Sequence, residues 1–154
     1  MAGEQHKKRS WLKKILIAGL ILVVVGAISV WFIFTQKFED TGKQEAAYTT
    51  SAMDFIKEFT TSDSLANKKY AEKIITIRGR ISEMEAADTT INIKMIDTLT
   101  DAYIIFAFQQ KNLEQAKQLK EGDSVSIKGS CSGGSYSEIL ETQFITFKRC
   151  VLTK

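Results

Sequence analysis

The chain of 154 residues is predicted to be a mainly β protein, a five-stranded Greek-key barrel of the OB type behind one transmembrane helix. Three observations predict this class. Residues 15–34 are uncharged and almost entirely apolar. The segments that follow residue 73 alternate apolar and polar residues, which is the period of a half-buried strand. One helical pattern lies between the third and fourth of five such segments, and this is the element order of an OB barrel.

Residues 15–34 have the length of a transmembrane helix, because a rise of about 1.5 Å per residue gives roughly 30 Å, the thickness of bilayer hydrocarbon. Five Lys and Arg residues precede the segment and two follow it closely. The positive-inside rule therefore predicts a cytoplasmic tail, residues 1–14, and an extracytoplasmic C-terminal part. Trp11 and Trp31 suit the aromatic belts at the two membrane surfaces. A cleaved signal peptide is the alternative, with residues 27–29 as the small-residue site.

Beyond the apolar segment, residues 35–49 have no clear period and are predicted to be a linker. Residues 50–154 then provide enough chain for one small domain. The whole-chain charge of +3 comes from the N-terminal tail, since sixteen Lys and Arg face seventeen Asp and Glu past residue 34. A charge of −1 excludes a bulk electrostatic attraction to nucleic acid.

Two short helices are predicted at the start of the domain. The first, residues 51–59, has four apolar residues at the spacing i, i+3, i+4, i+7, which places them on one face: Ala52, Phe55, Ile56 and Phe59. Thr50 or Ser51 can cap its free N–H groups. A second helix follows a break at residues 61–63, with an apolar face of Leu65, Ala66 and Tyr70. The first helix is expected to cover one face of the sheet.

The first three strands are predicted between residues 74 and 108. Residues 75–82 and 89–97 alternate apolar and polar side chains and form a hairpin around a turn at residues 85–88. Residues 103–108 are apolar at nearly every position. Both faces of that third strand are therefore expected to be covered.

A short helix and two further strands complete the predicted barrel. Leu113, Ala116 and Leu119 mark the helix, and Gly122 follows where a left-handed cap is favoured. The fourth strand is expected over residues 124–131. A loop over residues 132–141 then leads to the last strand, which ends near residue 152.

Three groups of residues together resemble the tRNA-anti-like family. The first contains Ala66, Lys69, Tyr70 and Lys73, followed by Ile75, Ile77, Gly79 and Ile81; the second contains Gly122, Asp123, Val125, Ile127, Lys128, Gly129, Cys131 and Gly133; the third is Cys150, Val151 and Leu152. The resemblance covers roughly residues 50–154 and implies a bacterial OB-fold domain, often behind an N-terminal membrane segment. It implies a fold more than an activity. The chain departs from the family pattern in a longer loop between the two cysteines.

The only cysteines are Cys131 and Cys150. An extracytoplasmic location would allow a disulfide. However, a hairpin that turns at residues 132–141 would place Cys150 roughly 20 Å beyond the position opposite Cys131, at ~3.3 Å per residue, whereas a disulfide needs Cα atoms within about 7 Å. Two buried thiols are therefore favoured, with the disulfide as the alternative. No metal site or cofactor is predicted, because the only histidine, His6, lies in the predicted cytoplasmic tail.

No catalytic site is predicted either. The domain has no histidine to activate a nucleophile, and no glycine-rich phosphate loop follows a strand. Two carboxylate pairs, Glu83 with Glu85 and Asp97 with Asp101, fall at predicted turns, where turn chemistry explains them. An enzyme is therefore the least favoured hypothesis.

The favoured function is a membrane-anchored binding or assembly module outside the cytoplasm, with a protein, peptide or glycan of the envelope as its partner. Single-stranded nucleic-acid binding is the alternative, because OB barrels perform it with basic grooves and stacking aromatics. The ligand-facing candidates are Arg78, Arg80, Lys94 and Lys128, with Tyr103 or Phe106 for stacking. The predicted location holds little nucleic acid, which makes nucleic acid the less favoured partner.

Overall fold

The computed structural model describes residues 3–35, 40–109 and 112–153. The helices are α1 (Gly3–Thr35), α2 (Ala52–Thr61), α3 (Asp63–Tyr70) and α4 (Leu113–Ala116). The strands are β1 (Tyr48–Ser51), β2 (Ile74–Arg80), β3 (Glu83–Ala86), β4 (Thr90–Ile96), β5 (Tyr103–Gln109), β6 (Ser124–Ser137) and β7 (Thr142–Thr153). The chain divides into two compact units, Met1–Phe38 and Glu39–Lys154.

The N-terminal unit is the helix α1, which confirms the predicted apolar helix. Its segment Lys13–Thr35 has 23 residues and a mean hydropathy of 2.8, so it is long and apolar enough to cross a membrane. Trp11 and Trp31 are both largely exposed on this helix. The helix begins at Gly3, so the predicted tail continues the same helix instead of forming a separate segment.

The second unit contains one sheet with the strand order β1-β2-β6-β7-β5-β4-β3. The mainly β class is confirmed, but the predicted count of five strands is wrong, because the described residues form seven. One added strand, β3, follows the first predicted strand and includes Glu85 and Ala86, so the turn predicted at residues 85–88 is wrong at its start. The N–H of Ile81 donates to the carbonyl of Asp123, beside β6, whereas the N–H of Ser82 donates to the carbonyl of Lys94 in β4. The chain thus changes its hydrogen-bonding neighbour between β2 and β3.

The other added strand, β1, comes from the end of the predicted linker and pairs parallel to β2, with Tyr48 beside Ile75. Upstream of β1, the N–H of Lys43 donates to the carbonyl of Asp40, and Thr41 is buried. Residues 40–49 therefore belong to the compact unit and are not a free linker. The rest of the predicted linker, apart from Thr35 in α1, lies outside the described residues.

The hairpin of β6 and β7 is longer than predicted. The expected loop over residues 132–141 is wrong, because β6 continues to Ser137 and the turn is confined to residues 138–141. Gly134 is paired with Ile145, and a Cβ atom there would lie 2.6 Å from the ring of Phe59. The glycine allows this close ring contact inside a strand, instead of marking a loop.

The helices near the sheet follow the predicted patterns with two differences. Ser51 caps α2, because its hydroxyl accepts a hydrogen bond from the N–H of Asp54 at 3.1 Å. Leu65 of α3 is 69% exposed, so its predicted place on an apolar face is wrong. The helix α4 ends at Ala116, and Gly122, at φ +89°, lies in the turn before β6 instead of capping the helix.

The core lies between the inner face of the sheet and α2. Phe55 is fully buried, and its ring centroid lies 4.8 Å from that of Tyr70 and 5.6 Å from that of Phe147. Gly79 permits a second close contact, since a Cβ atom there would lie 2.9 Å from the Cβ atom of Ala52 in α2. Together these contacts hold α2 against the strands.

Candidate functional site

The four predicted ligand-facing residues lie on three strands and have three different surroundings. Arg78 and Arg80 are exposed on β2, whereas Lys94 on β4 and Lys128 on β6 are each partly buried. All four alternate with buried residues, so the period-two pattern placed them correctly on the outer face of the sheet. Only the two arginines share a surface opening.

Lys128 is bound to the chain itself. Its Nζ atom donates to the backbone carbonyl of Gln44 at 3.0 Å and to that of Gly42 at 3.3 Å. These bonds join β6 to the segment that precedes β1, more than eighty residues earlier in the chain. The structure therefore gives Lys128 a stabilising role, unlike the ligand-facing role expected from the sequence.

Lys94 is neutralised by two carboxylates of the neighbouring strand. Its Nζ atom lies 2.6 Å from Oε1 of Glu85 and 3.5 Å from Oε2 of Glu83, and its side chain is 20% exposed. The hydrogen bond to Glu85 raises the pKa of Lys94 above its ordinary value, despite partial burial. The carboxylate pair at Glu83 and Glu85 lies in β3 and not in a turn.

An aromatic pair on the outer face includes Tyr103, which lies beside Lys94. Tyr103 of β5 is directly paired with Phe144 of β7, and their ring centroids are 6.2 Å apart at an interplanar angle of 24°. The ammonium group of Lys94 lies 5.8 Å from the centroid of the Tyr103 ring. We call the surface formed by Lys94, Ile96, Tyr103 and Phe144 the aromatic face.

The structure separates the two predicted stacking residues. Phe106 is fully buried and packs against Phe147 at a centroid distance of 5.1 Å, so its predicted role in stacking is wrong. Tyr103 is partly exposed on the outer face. Sequence reasoning missed Phe144, although its position next to the inward-facing Ile145 is the signal that places it outward.

Arg78 and Arg80 border a groove of about 690 Å³, which we call the arginine groove. Its other lining residues are Gly79, Ser124, Val125, Ser126, Leu152 and Thr153. A second groove of about 490 Å³ shares the two arginines and extends to Ile96 and Thr98. Because Ile96 is paired with Tyr103, this second groove reaches the edge of the aromatic face.

Cys131 and Cys150 are both buried and free. Burial raises the pKa of Cys131 to about 11 and that of Cys150 further. The register predicted for the last hairpin is wrong, because the residue opposite Cys131 is Phe147, only three positions before Cys150. Cys150 points toward Gly129, where a Cβ atom would lie 2.8 Å from its sulfur.

The other carboxylate pair singled out from the sequence, Asp97 and Asp101, lies in a turn as predicted. Asp97 accepts hydrogen bonds from the N–H of Leu99 and the hydroxyl of Thr100, as in an ordinary turn. Asp101 has a positive φ of 57° in the same turn. In the part of the chain that the structure describes, no group of three or more His, Cys, Asp or Glu residues could hold a metal ion.

The model of the tRNA_anti-like family matches residues 1–144 of the chain. This protein belongs to the tRNA_anti-like family. The match includes α1 as well as most of the sheet, so it extends further toward the N-terminus than the sequence resemblance, which began near residue 50. The comparison with curated proteins found no significant match.

Solved structures resemble this family member in fold. A lipoprotein of Klebsiella pneumoniae subsp. pneumoniae MGH 78578, to which nucleic-acid binding is ascribed, is 21% identical with a TM-score of 0.56, over 77% of this chain and all of that chain. This likeness shows a shared fold alone.

Two aminoacyl-tRNA synthetases also match. Asparaginyl-tRNA synthetase of Entamoeba histolytica is 21% identical over 53% of this chain and 20% of its own, with a TM-score of 0.36. A Leishmania major Friedlin protein assigned as an aspartyl-tRNA synthetase is 10% identical over 77% of this chain and 22% of its own, with a TM-score of 0.43. Both TM-scores are too low to carry an argument.

Proposed function

We propose that this protein is a membrane-anchored OB-fold module that binds its ligand on the aromatic face, outside the cytoplasm. The strand order supports the fold. If β2 and β3 are counted as one interrupted strand, that strand borders β4 on one side and β6 on the other. Apart from β1, which is added outside β2, the five resulting strands, with α4 between the third and fourth, have the order of a closed OB barrel.

The paired rings of Tyr103 and Phe144 are the observation that carries the proposal. Aromatic side chains on an outer sheet surface offer flat apolar area to a sugar ring, a base or another side chain. Lys94 is the cation of this face, and its charge is balanced by Glu83 and Glu85. Such a surface suits a ligand of low charge, and we place a glycan of the envelope first.

The proposed role is binding and not catalysis. The carboxylates that could have formed an acid and base pair hold Lys94 or a turn, as their hydrogen bonds show. Anchoring rests on α1, whose apolar segment has the length of a bilayer span. The excess of basic residues before that segment supports a cytoplasmic N-terminus.

Single-stranded nucleic acid is the second candidate ligand. The paired rings of Tyr103 and Phe144 provide the flat surface on which the bases of a single strand stack. The nucleic-acid binding ascribed to the Klebsiella lipoprotein of similar fold favours the same candidate.

Binding by the full chain in neutral detergent tests both candidates, with chitohexaose and oligothymidylate as probes at low salt. We expect chitohexaose to bind, and Y103A/F144A to weaken it about tenfold, because each ring contact contributes about 0.5–1.5 kcal/mol. Y136A is the matched control, since Tyr136 is exposed elsewhere, on the hairpin of β6 and β7.

The outcomes separate the candidates. Binding of oligothymidylate alone, with the same loss in Y103A/F144A, would establish the nucleic-acid alternative. Binding that is equal in Y103A/F144A and Y136A would refute the aromatic face as the site. A phosphatase fused to the C-terminus is expected to be active in cells, and an inactive fusion would overturn the orientation.

A further inference from the structure

We infer that the arginine groove is a second binding site, separate from the aromatic face, for a phosphate ester group. The groove is built by β2, β6 and the end of β7, whereas the aromatic face is built by β4, β5 and β7. Arg78 and Arg80 are two positions apart on one strand. Their side chains therefore project from the same face, about 7 Å apart along the strand.

The two guanidinium groups differ from the other predicted basic side chains because they have no ion pair among the described residues. Lys94 is paired with glutamates and Lys128 with backbone carbonyls. Two carboxylates are close in sequence to residues that pair with the arginines: Asp54 follows Ser51, the partner of Arg78, and Asp123 precedes Ser124, the partner of Arg80. Asp54 accepts a hydrogen bond from the hydroxyl of Ser51 at 2.6 Å, and Asp123 accepts one from the N–H of Lys120 at 2.9 Å.

Hydroxyl groups lie beside the arginines where carboxylates would otherwise neutralise them. Ser126 is directly opposite Arg78, and Ser124 is directly opposite Arg80. On its other side, Ser126 is opposite Thr153 of β7, whose Oγ1 atom lies 2.7 Å from Oγ of Ser126. The groove wall thus combines two uncompensated planar cations with neutral donors, within a volume of about 690 Å³.

This combination matches the chemistry of a phosphate group. Guanidinium groups donate paired N–H bonds in the geometry that a tetrahedral oxyanion accepts. Serine and threonine hydroxyls can donate to the remaining oxygen atoms. Gly79, Val125 and Leu152 supply the apolar part of the lining, which suits the carbon skeleton that an ester carries and inorganic phosphate lacks.

Calorimetry on the full chain in neutral detergent tests the inference. The probes are inorganic phosphate, glycerol 3-phosphate, a glycerophosphodiester and acetate, at low salt. We expect both esters to bind more tightly than acetate. R78Q/R80Q is expected to weaken ester binding at least about tenfold, because a hydrogen bond to a charged group contributes about 1.5–3 kcal/mol. The tighter of the two esters identifies a monoester or a diester as the natural form.

Matched variants distinguish this site from general charge and from the aromatic face. K120Q/K148Q removes the same charge from two exposed lysines and is expected to change ester binding less than about twofold. Y103A/F144A is expected to leave ester binding unchanged, so the proposed function and this inference can fail separately. Equal losses in R78Q/R80Q and K120Q/K148Q, absence of saturable ester binding, or acetate binding as tight as ester binding would overturn it.

Discussion

Phe55 is the residue whose truncation best tests how α2 is held against the sheet. Its side chain is fully buried, and its ring contacts those of Phe59, Tyr70 and Phe147 at centroid distances of 5.1, 4.8 and 5.6 Å. Truncation of a buried Phe to Ala costs about 3–5 kcal/mol in free energy of unfolding. Because three ring contacts are lost, we expect F55A to cost about 4 kcal/mol, the middle of that range.

That loss is a large share of the stability of a small domain, which is about 5–15 kcal/mol. Trp11 and Trp31 lie in α1, so tryptophan fluorescence does not report on the sheet. The two buried thiols, Cys131 and Cys150, lie only in the second unit. The fraction of thiols labelled across a urea titration therefore measures unfolding of the domain alone.

M53A is the control, because Met53 lies on the same helix and is 47% exposed. Its free energy of unfolding in urea is expected to stay within about 0.5 kcal/mol of that of the unchanged protein. A loss below about 1 kcal/mol in F55A, or a loss equal to that of M53A, would refute the conclusion that α2 is an integral part of the core.

Three further predictions concern single contacts. K128M is expected to increase hydrogen exchange of the backbone around residues 43–47, because the bonds from Nζ to the carbonyls of Gly42 and Gln44 are lost. K148M is the control. Exchange that is unchanged in K128M would contradict the stabilising role of Lys128. Burial raises the pKa of Glu58, but hydrogen bonds from Lys69 and Tyr70 lower it more, so its net pKa in the folded protein is below 4.5. The contribution of Glu58 to stability is therefore full above the unfolded-state pKa and is lost as the pH falls through the folded-state pKa. The variant E58Q is expected to lose less stability in urea than the unchanged protein below about pH 4.5. An identical pH dependence in the two proteins would contradict this role of Glu58. The thiols are expected to resist alkylation near neutral pH in the folded protein, since burial raises the pKa of Cys131 to about 11; rapid labelling without denaturant would show that they are accessible.

Local patterns predicted the elements whose causes are local. The spacing of Ala52, Phe55, Ile56 and Phe59 predicted α2 because a helix repeats every 3.6 residues, and Ser51 caps it as expected. The alternation of apolar and polar residues in β2 and β4 predicted their inner and outer faces, because successive side chains of a strand point to opposite faces. Arg78 and Arg80, which the pattern placed outward on β2, are exposed in the structure.

The elements that were missed depend on distant partners. Tyr48–Ser51 has no strand pattern of its own and becomes β1 by pairing with β2. Gly133 and Gly134 indicated a loop, but they lie within β6, where Asn67 and Phe59 approach the backbone closely. Spacing along the chain does not encode such approaches, because they depend on which segments meet in the folded sheet.

The same limit applies to the candidate sites. Lys94 and Lys128 were predicted to face a ligand because they alternate with buried residues, and both do lie on the outer face. Their charges are satisfied by Glu85 in one case and by a segment more than eighty residues away in the other. Alternation predicts the direction of a side chain but not its partner.

The pairing of β2 with β6 has a consequence for the rate at which the domain folds. Ile77 lies opposite Ile127, so the two strands can pair only when the segment between them closes into a loop. The chain contains no proline, and refolding therefore has no prolyl isomerisation step to limit it. We expect the pairing of these distant strands, with the loop-closure entropy that it costs, to limit the rate of folding.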